Sequence, residues 1–507
     1  MCRLAASLRA GARLWPLLWA PVACAQAGDA AVSGAPVALR FEPHVSLTQT
    51  ISHSSPGSTV MVTQLSPGIR INAQRGRVRG HLDYSLQGLV YGNNRDDTDL
   101  RHSLDAAGSA ELIENRLYLD ATASIGQRAI SAFGQQIIDP VLPNANQTQV
   151  LRLNVSPRLR GVLFGEVDYI ARATHSIQRT GEGEAFDSDV SSASLTLTGG
   201  SGLRALSWSL DASANRYDFG VTRLTQARMV RGQINYAVTD SLRASLIGGA
   251  ESNNFLSLEM RTSEIVGGSV DWRPSTRTRV FLQQERRFFG TGHQVIVEYR
   301  LPRTTFSFTS TRDISTPQEQ QALATIGTVF DVFFAQFATI EPDPVARRLL
   351  VLNFLLSNGI APNTPVFGSF LASGLTLSNT QQLTATWRAL RGTASISANQ
   401  SDSRRLVSFS VAADDFSNST AVKQRGLVAS YNHRLSPLES LAVSATYNQS
   451  RGDFASLTSS TRSLQATYSA QVNPQTSGSL AARVSSSSFG GSSSTEYALI
   501  ASVVMRY

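Results

Sequence analysis

The seven histidines, His44, His53, His81, His102, His175, His293 and His433, are the first place to look for acid-base or metal chemistry, and they stand singly along the chain. None belongs to an H-E-x-x-H pair, which would put two imidazoles on one helical face for zinc. Serine is too abundant for a Ser-His-carboxylate set to be picked out by spacing. Two acidic clusters, Asp96, Asp97 and Asp99, then Glu182, Glu184, Asp187 and Asp189, lack the ligand register of a calcium loop and read as solvated charge. No catalytic, cofactor-binding or metal-binding residue is assigned, and no enzyme activity is expected. What the chain does carry is charge of both signs on the polar face of alternating segments. The candidates are Arg77, Arg79, Asp83, Arg101, Asp105, Glu111, Asp120, Arg152, Arg158, Glu166, Asp168 and Arg172. Such side chains suit a hydrated wall stiffened by cross-strand Arg-carboxylate pairs, which any large polar lumen needs and which a conduit for a polar or anionic solute also uses.

The elements that position these charges are strands. Residues 77–91 read RVRGHLDYSLQGLVY, in which Val78, Leu82, Tyr84 and Leu86 alternate with Arg79, His81, Asp83, Ser85 and Gln87. Successive strand side chains point to opposite faces, so one face is apolar and the other wet. The pattern recurs along the chain in segments of about ten residues, the signature of a transmembrane β-barrel. Short links are expected at 74–76, 113–116, 160–163, 199–205, 239–241, 273–277, 301–303, 391–392, 434–439 and 473–476, as periplasmic turns. Longer polar links, at 92–99, 128–147, 176–188, 402–418 and 489–495, read as outer loops. A first strand at 39–51 and a last at 496–507, joined through ten short turns, require an even count of about 22 antiparallel strands. Tyr236, Trp272, Tyr299, Trp387, Tyr431 and Tyr468 fall beside short turns, where amphipathic rings sit at headgroup level.

Composition agrees. Arg3, Arg9 and Arg13 precede an apolar run from Leu14 to Val22 and a small-residue site around Ala23 to Ala27, which reads as a signal peptide over 1–27 with the barrel over 28–507. Cleavage there removes both cysteines, Cys2 and Cys24. A mean hydropathy of −0.09 and 42% hydrophobic residues are too low for helical membrane spans. The net charge of +8, three units of which leave with the signal arginines, is too weak to argue for nucleic acid. The final strand ends on Tyr507, an aromatic residue of the kind that outer-membrane assembly machinery reads. The expected location is the outer membrane of a Gram-negative bacterium, among its lipid and lipopolysaccharide.

Between residues 316 and 374 the period changes from two to nearly four. Thr316-Pro317-Gln318-Glu319 forms a capping box, and Phe330, Phe333 and Phe337 then share a helical stripe with Leu323 and Ile326. A second start at Asp343-Pro344 places Leu349, Leu352 and Leu356 on one face. These six residues, Phe330, Phe333, Phe337, Leu349, Leu352 and Leu356, are the expected contacts of a small α-helical insert that plugs the barrel mouth or docks on a partner. Residues 65–91, 103–134 and 341–362 (EPDPVARRLLVLNFLLSNGIAP) together resemble the outer membrane proteins associated with the PEP-CTERM/exosortase system. The resemblance implies a barrel made alongside exopolysaccharide and protein-sorting genes, hence a conduit or accessory for exopolysaccharide or envelope export. The alternative expectation is an anchoring barrel that binds polysaccharide or a sorted protein through its outer loops.

Overall fold

The computed structural model describes residues 39–507 apart from 56, 58, 74–75, 93–97, 137, 140, 182–186, 201–204, 221–222, 317–346, 348–350, 352–369 and 407–413. Strands follow one another along the chain: β1 (Leu39–Ser55), β2 (Thr59–Ala73), β3 (Val78–Tyr91), β4 (Thr98–Ile113), β5 (Leu117–Ala129), β6 (Gln147–Leu163), β7 (Val167–Thr180) and β8 (Ser188–Gly200). They continue as β9 (Leu206–Asp218), β10 (Thr225–Ala237), β11 (Leu242–Asn253), β12 (Arg261–Ser275), β13 (Thr278–Arg287), β14 (Gly290–Arg300) and β15 (Thr304–Ser315). After the 316–374 segment come β16 (Thr376–Arg388), β17 (Gly392–Arg405), a one-turn helix α1 (Asp415–Asn418), β18 (Ala421–Arg434), β19 (Glu439–Arg451), β20 (Thr458–Asn473), β21 (Thr476–Phe489) and β22 (Ser492–Arg506).

Each strand pairs antiparallel with the next, and β1 pairs antiparallel with β22, from His44 opposite Arg506 to Ser55 opposite Thr495. The 22-stranded sheet therefore closes on itself and leaves no edge. Its outward face carries large apolar side chains in the open: Leu246 is 74% exposed, Val266 62% and Ile234 56%. A soluble protein does not present a continuous apolar band of this kind; a bilayer removes the cost by covering it. The chain is thus an outer-membrane β-barrel. Tyr236, Trp272, Tyr299, Trp387, Tyr431 and Tyr468 all stand exposed near the short-turn end, as an interfacial girdle does. Beside it, Tyr169 and Trp208 lie over Gly161 and Gly199 on the neighbouring strand, where an added Cβ would come within 2.8 Å and 2.6 Å of the rings.

All ten expected short links join an even strand to the following odd one. Two expectations need correcting. The third turn lies at Phe164 to Glu166 rather than 160–163, because Arg160 to Leu163 continue β6 against β7. The link at 489–495 is not long: Gly490 and Gly491, with φ of 56° and 83°, make a two-residue hairpin that only glycine adopts easily. Residues 1–27, with the signal-peptide reading, fall outside the described residues. So do Phe330, Phe333, Phe337, Leu349, Leu352 and Leu356; within the expected insert Arg347 and Val351 are helical.

Candidate functional site

The inward face divides into two arcs. From β1 to β14 it is rich in charge, and most of that charge is paired across strands. Asp83 takes Arg70 at 2.6 Å, with His44 at 4.0 Å, and Asp105 takes His81 at 2.7 Å. Asp120 collects Ser109 at 2.6 Å, Arg158 at 3.4 Å and Arg172 at 3.9 Å. Arg101 meets Asp99 at 2.6 Å, and Arg152 donates to Gln178 at 3.1 Å. Glu111 accepts from the Tyr118 hydroxyl at 3.1 Å and from the Asn115 amide, while Arg158 and Arg160 both lie 4.8 Å from the Tyr118 ring centre. At the short-turn end Arg77 pairs with Glu114 at 3.3 Å, and Glu166 sits in the turn. Arg79 and Asp168 are exposed on the inward faces of β3 and β7.

Further around the wall the same logic recurs at residues that spacing alone did not single out as pairs. Arg231 bridges Glu285 (2.9 Å) and Asp211 (3.4 Å), and Arg287 bridges Glu251 and Asp313 at 2.7 Å each. Removing water from such charges is offset only by several well-placed partners, and each arginine here has two.

From β16 to β20 the arc changes chemistry. Inward positions there are almost all uncharged hydroxyls and amides, for example Ser378, Thr380, Gln382, Thr384 and Thr386 on β16 and Thr461, Ser463, Gln465, Thr467 and Ser469 on β20. Neighbouring hydroxyls bond across strands, as Ser378 with Ser403 at 3.0 Å and Ser395 with Ser430 at 2.6 Å. Among the described residues, no group of three or more His, Cys, Asp or Glu converges as a metal site would require.

At the end opposite the short turns, described residues of several loops pack together and against the wall. In the β5–β6 link, Ala132 and Phe133 pack with Phe370 and Ala372, with Phe416 of α1 and with Val422 of β18. Leu371, fully buried, rests on Val150 of β6, and Phe370 bridges to Ala129. A second cluster gathers Tyr217, Phe219, Phe255, Leu375 and Leu406, so residues 370–375 belong to both sides of the mouth. Polar anchors hold this cap. The Asp415 carboxylate accepts from the Ser131 hydroxyl at 2.5 Å and the Ala132 amide at 2.6 Å. Asp414 accepts from the Ser373 amide at 3.0 Å and from the Ser373 hydroxyl, and pairs with Arg405. Burial, with Asp414 adjacent, pushes the Asp415 carboxyl up to about 6. The far side of the β5–β6 link is fixed by Asp139, 2.9 Å from Arg483, which also holds Glu496 at 2.8 Å. Arg483 is the eighth of fourteen residues in β21, so this anchor lies well below the rim. Tyr91 adds a hydroxyl bond to the Val141 carbonyl at 3.1 Å.

No family model matches the chain, and no curated protein does. Among solved structures the chain is similar to the FrpB iron transporter from Neisseria meningitidis, at 10% identity over 92% of this chain and 81% of that one, with a TM-score of 0.45. It is also similar to BauA, the ferric preacinetobactin receptor from Acinetobacter baumannii, at 10% identity, 92% and 81% coverage and a TM-score of 0.47. A third, Pseudomonas aeruginosa OccK5, is covered to 98% by 92% of this chain, at 10% identity and a TM-score of 0.34.

Proposed function

We propose that this outer-membrane barrel is a conduit for a polar, hydroxyl-rich chain, closed at its outer mouth by its own loops. The reading rests on one observation: a charge-paired arc faces a hydroxyl-and-amide arc beneath a cap of packed loop residues. Hydroxyls and amides exchange hydrogen bonds with a saccharide at little cost, and paired charges keep the opposite wall wet without offering a fixed single-sign trap. Exopolysaccharide is the solute class that the sequence resemblance adds, and export alongside an exosortase system is part of the same proposal.

Planar-bilayer recording tests it. The wild-type protein is expected to conduct weakly, and excision of residues 132–144 with a short Gly/Ser link should raise the single-channel current and make it sensitive to block by neutral oligosaccharide. A correctly assembled, heat-modifiable variant that conducts no better than wild type would sink the conduit reading. That outcome favours the anchoring barrel, in which the closed mouth is a platform for loops that bind polysaccharide or a sorted protein.

A further inference from the structure

On β17 to β20 the outward face is apolar toward the short turns, where Ile396 is 52% exposed, Leu427 44% and Leu464 50%. Toward the outer loops the same face turns basic. Arg404 on β17, Lys423 and Arg425 on β18, Arg451 on β19 and Arg462 on β20 are all exposed. Register places Lys423 directly opposite Arg451, a juxtaposition of like charges that destabilises a sheet unless something neutralises it. The chain supplies little. Asp402 lies 3.4 Å from Arg404 and opposite Lys423, and the Asp453 carboxylate accepts from the Thr420 amide and, at 2.7 Å, from its hydroxyl. Among the described residues, no carboxylate lies within 4 Å of Lys423, Arg425, Arg451 or Arg462; Arg462 instead covers the Tyr447 ring at 5.6 Å.

These cations point away from the lumen, so a solute in the pore does not meet them. What they face is the edge of the bilayer. Arg425 stands two positions beyond Leu427 on β18, at the upper boundary of the apolar face, where long basic side chains extend to the headgroups. Four strands at about 4.8 Å spacing spread the five cations over about 14 Å, wider than one phosphate needs. We propose that this face binds a phosphorylated glycolipid of the outer leaflet, with phosphate groups seated among Lys423, Arg425 and Arg451 and acyl chains lying on Leu427 and Leu464. Guanidinium groups grip phosphate oxygens two at a time, and a headgroup with more than one phosphate matches both the width and the surplus charge. A single-phosphate phospholipid leaves most of that charge uncompensated. The site does not depend on whether the pore conducts.

The test uses the full chain purified in detergent and native mass spectrometry with four probes: a diphosphorylated acyl-disaccharide lipid, its dephosphorylated form, phosphatidylglycerol and inorganic phosphate. The diphosphorylated lipid should be retained at least tenfold better than its dephosphorylated form, and the combined K423Q, R425Q, R451Q and R462Q variant should lose that preference while still migrating as a heat-modifiable barrel. Equal retention of the two glycolipids by wild type overturns the proposal without recourse to any variant. So does phosphatidylglycerol binding as tightly as the diphosphorylated lipid, displacement by equimolar inorganic phosphate, or undiminished retention by the assembled variant.

Discussion

Replacing Leu246 with arginine puts a cation on the lipid side of β11, and the structure says how much that should cost. Leu246 is the fifth of twelve strand residues, 74% exposed, with Ile234 opposite on β10 and Gly268 opposite on β12. No carboxylate stands on the outward face at these cross-strand positions, and the position is too far from either strand end for the new side chain to reach water easily. Near the midplane such a substitution costs about 2–4 kcal/mol. At roughly 1.4 kcal/mol per tenfold, that lowers the folded-to-unfolded ratio about 30-fold to 700-fold. Gln233→Arg on β10 is the matched control, because Gln233 faces inward beside Asn235, 2.7 Å away, and opposite Ser209. Its new charge enters a wet wall that already holds Arg231, and the loss should stay within about 1 kcal/mol. Urea titration of folding into short-chain lipid vesicles, read by heat-modifiable migration and tryptophan fluorescence, measures both. Equal losses for the two substitutions would refute the assignment of faces, and with it the register around which the lumen is built.

The cap should respond to pH. A carboxyl raised from 3.8 to about 6 favours the folded cap in its protonated form, a contribution complete below pH 4 and lost as pH rises through 6; relative to pH 7.5 it is worth about 1.4 kcal/mol at pH 5. Hydrogen exchange across residues 130–136 should therefore slow at pH 5 beyond the intrinsic effect, and Asp415→Asn should remove the difference; a pH dependence unchanged in that variant would exclude Asp415 as its source. Arg287→Leu strands Glu251 and Asp313 and is expected to cost about 3–5 kcal/mol in the same urea titration, whereas a loss under 1 kcal/mol would mean water already serves those carboxylates. Gly491→Val forces a β-branched residue to a φ of 83° and should cost about 1–2 kcal/mol and slow hairpin formation; a neutral result would show that the turn relaxes to another type.

Strand number was readable because lipid and water impose a strict period of two, which survives in one sequence. The charged wall was readable one strand at a time but not as pairs: nothing in the spacing of Arg231 and Glu285 announces that they meet at 2.9 Å, since that depends on strand register. The share of the β5–β6 link and of α1 in the cap went unread because residues 128–147 and 402–418 look like polar outer loops. Its signal is a lapse of alternation at outer strand ends. Leu89, Val90 and Tyr91 run together, as do Val60, Met61 and Val62, so apolar side chains take the inward positions as well as the lipid-facing one: Leu89 and Val62 are 1% exposed. The loop at 489–495 was misjudged for the opposite reason. Serines there look like a polar link, yet Ser487 and Ser494 are strand residues joined by a 3.0 Å hydroxyl bond.

The seam between β1 and β22 sets an order of events for biogenesis. Twenty-one of the twenty-two pairings join strands adjacent in sequence and can form as successive hairpins, most with a short loop to close and the longest across residues 316–375 between β15 and β16. The remaining one brings Ser46 beside Val504 and ties the Tyr507 amide to the Pro43 carbonyl at 2.9 Å. Until that last zipper closes, both margins of the sheet expose unpaired amides and carbonyls to hydrocarbon, so the half-built sheet needs a guest strand or a chaperone on each side. Insertion is then a race between the arrival of the final segment and aggregation through those margins, and its rate belongs to one seam rather than to the wall as a whole.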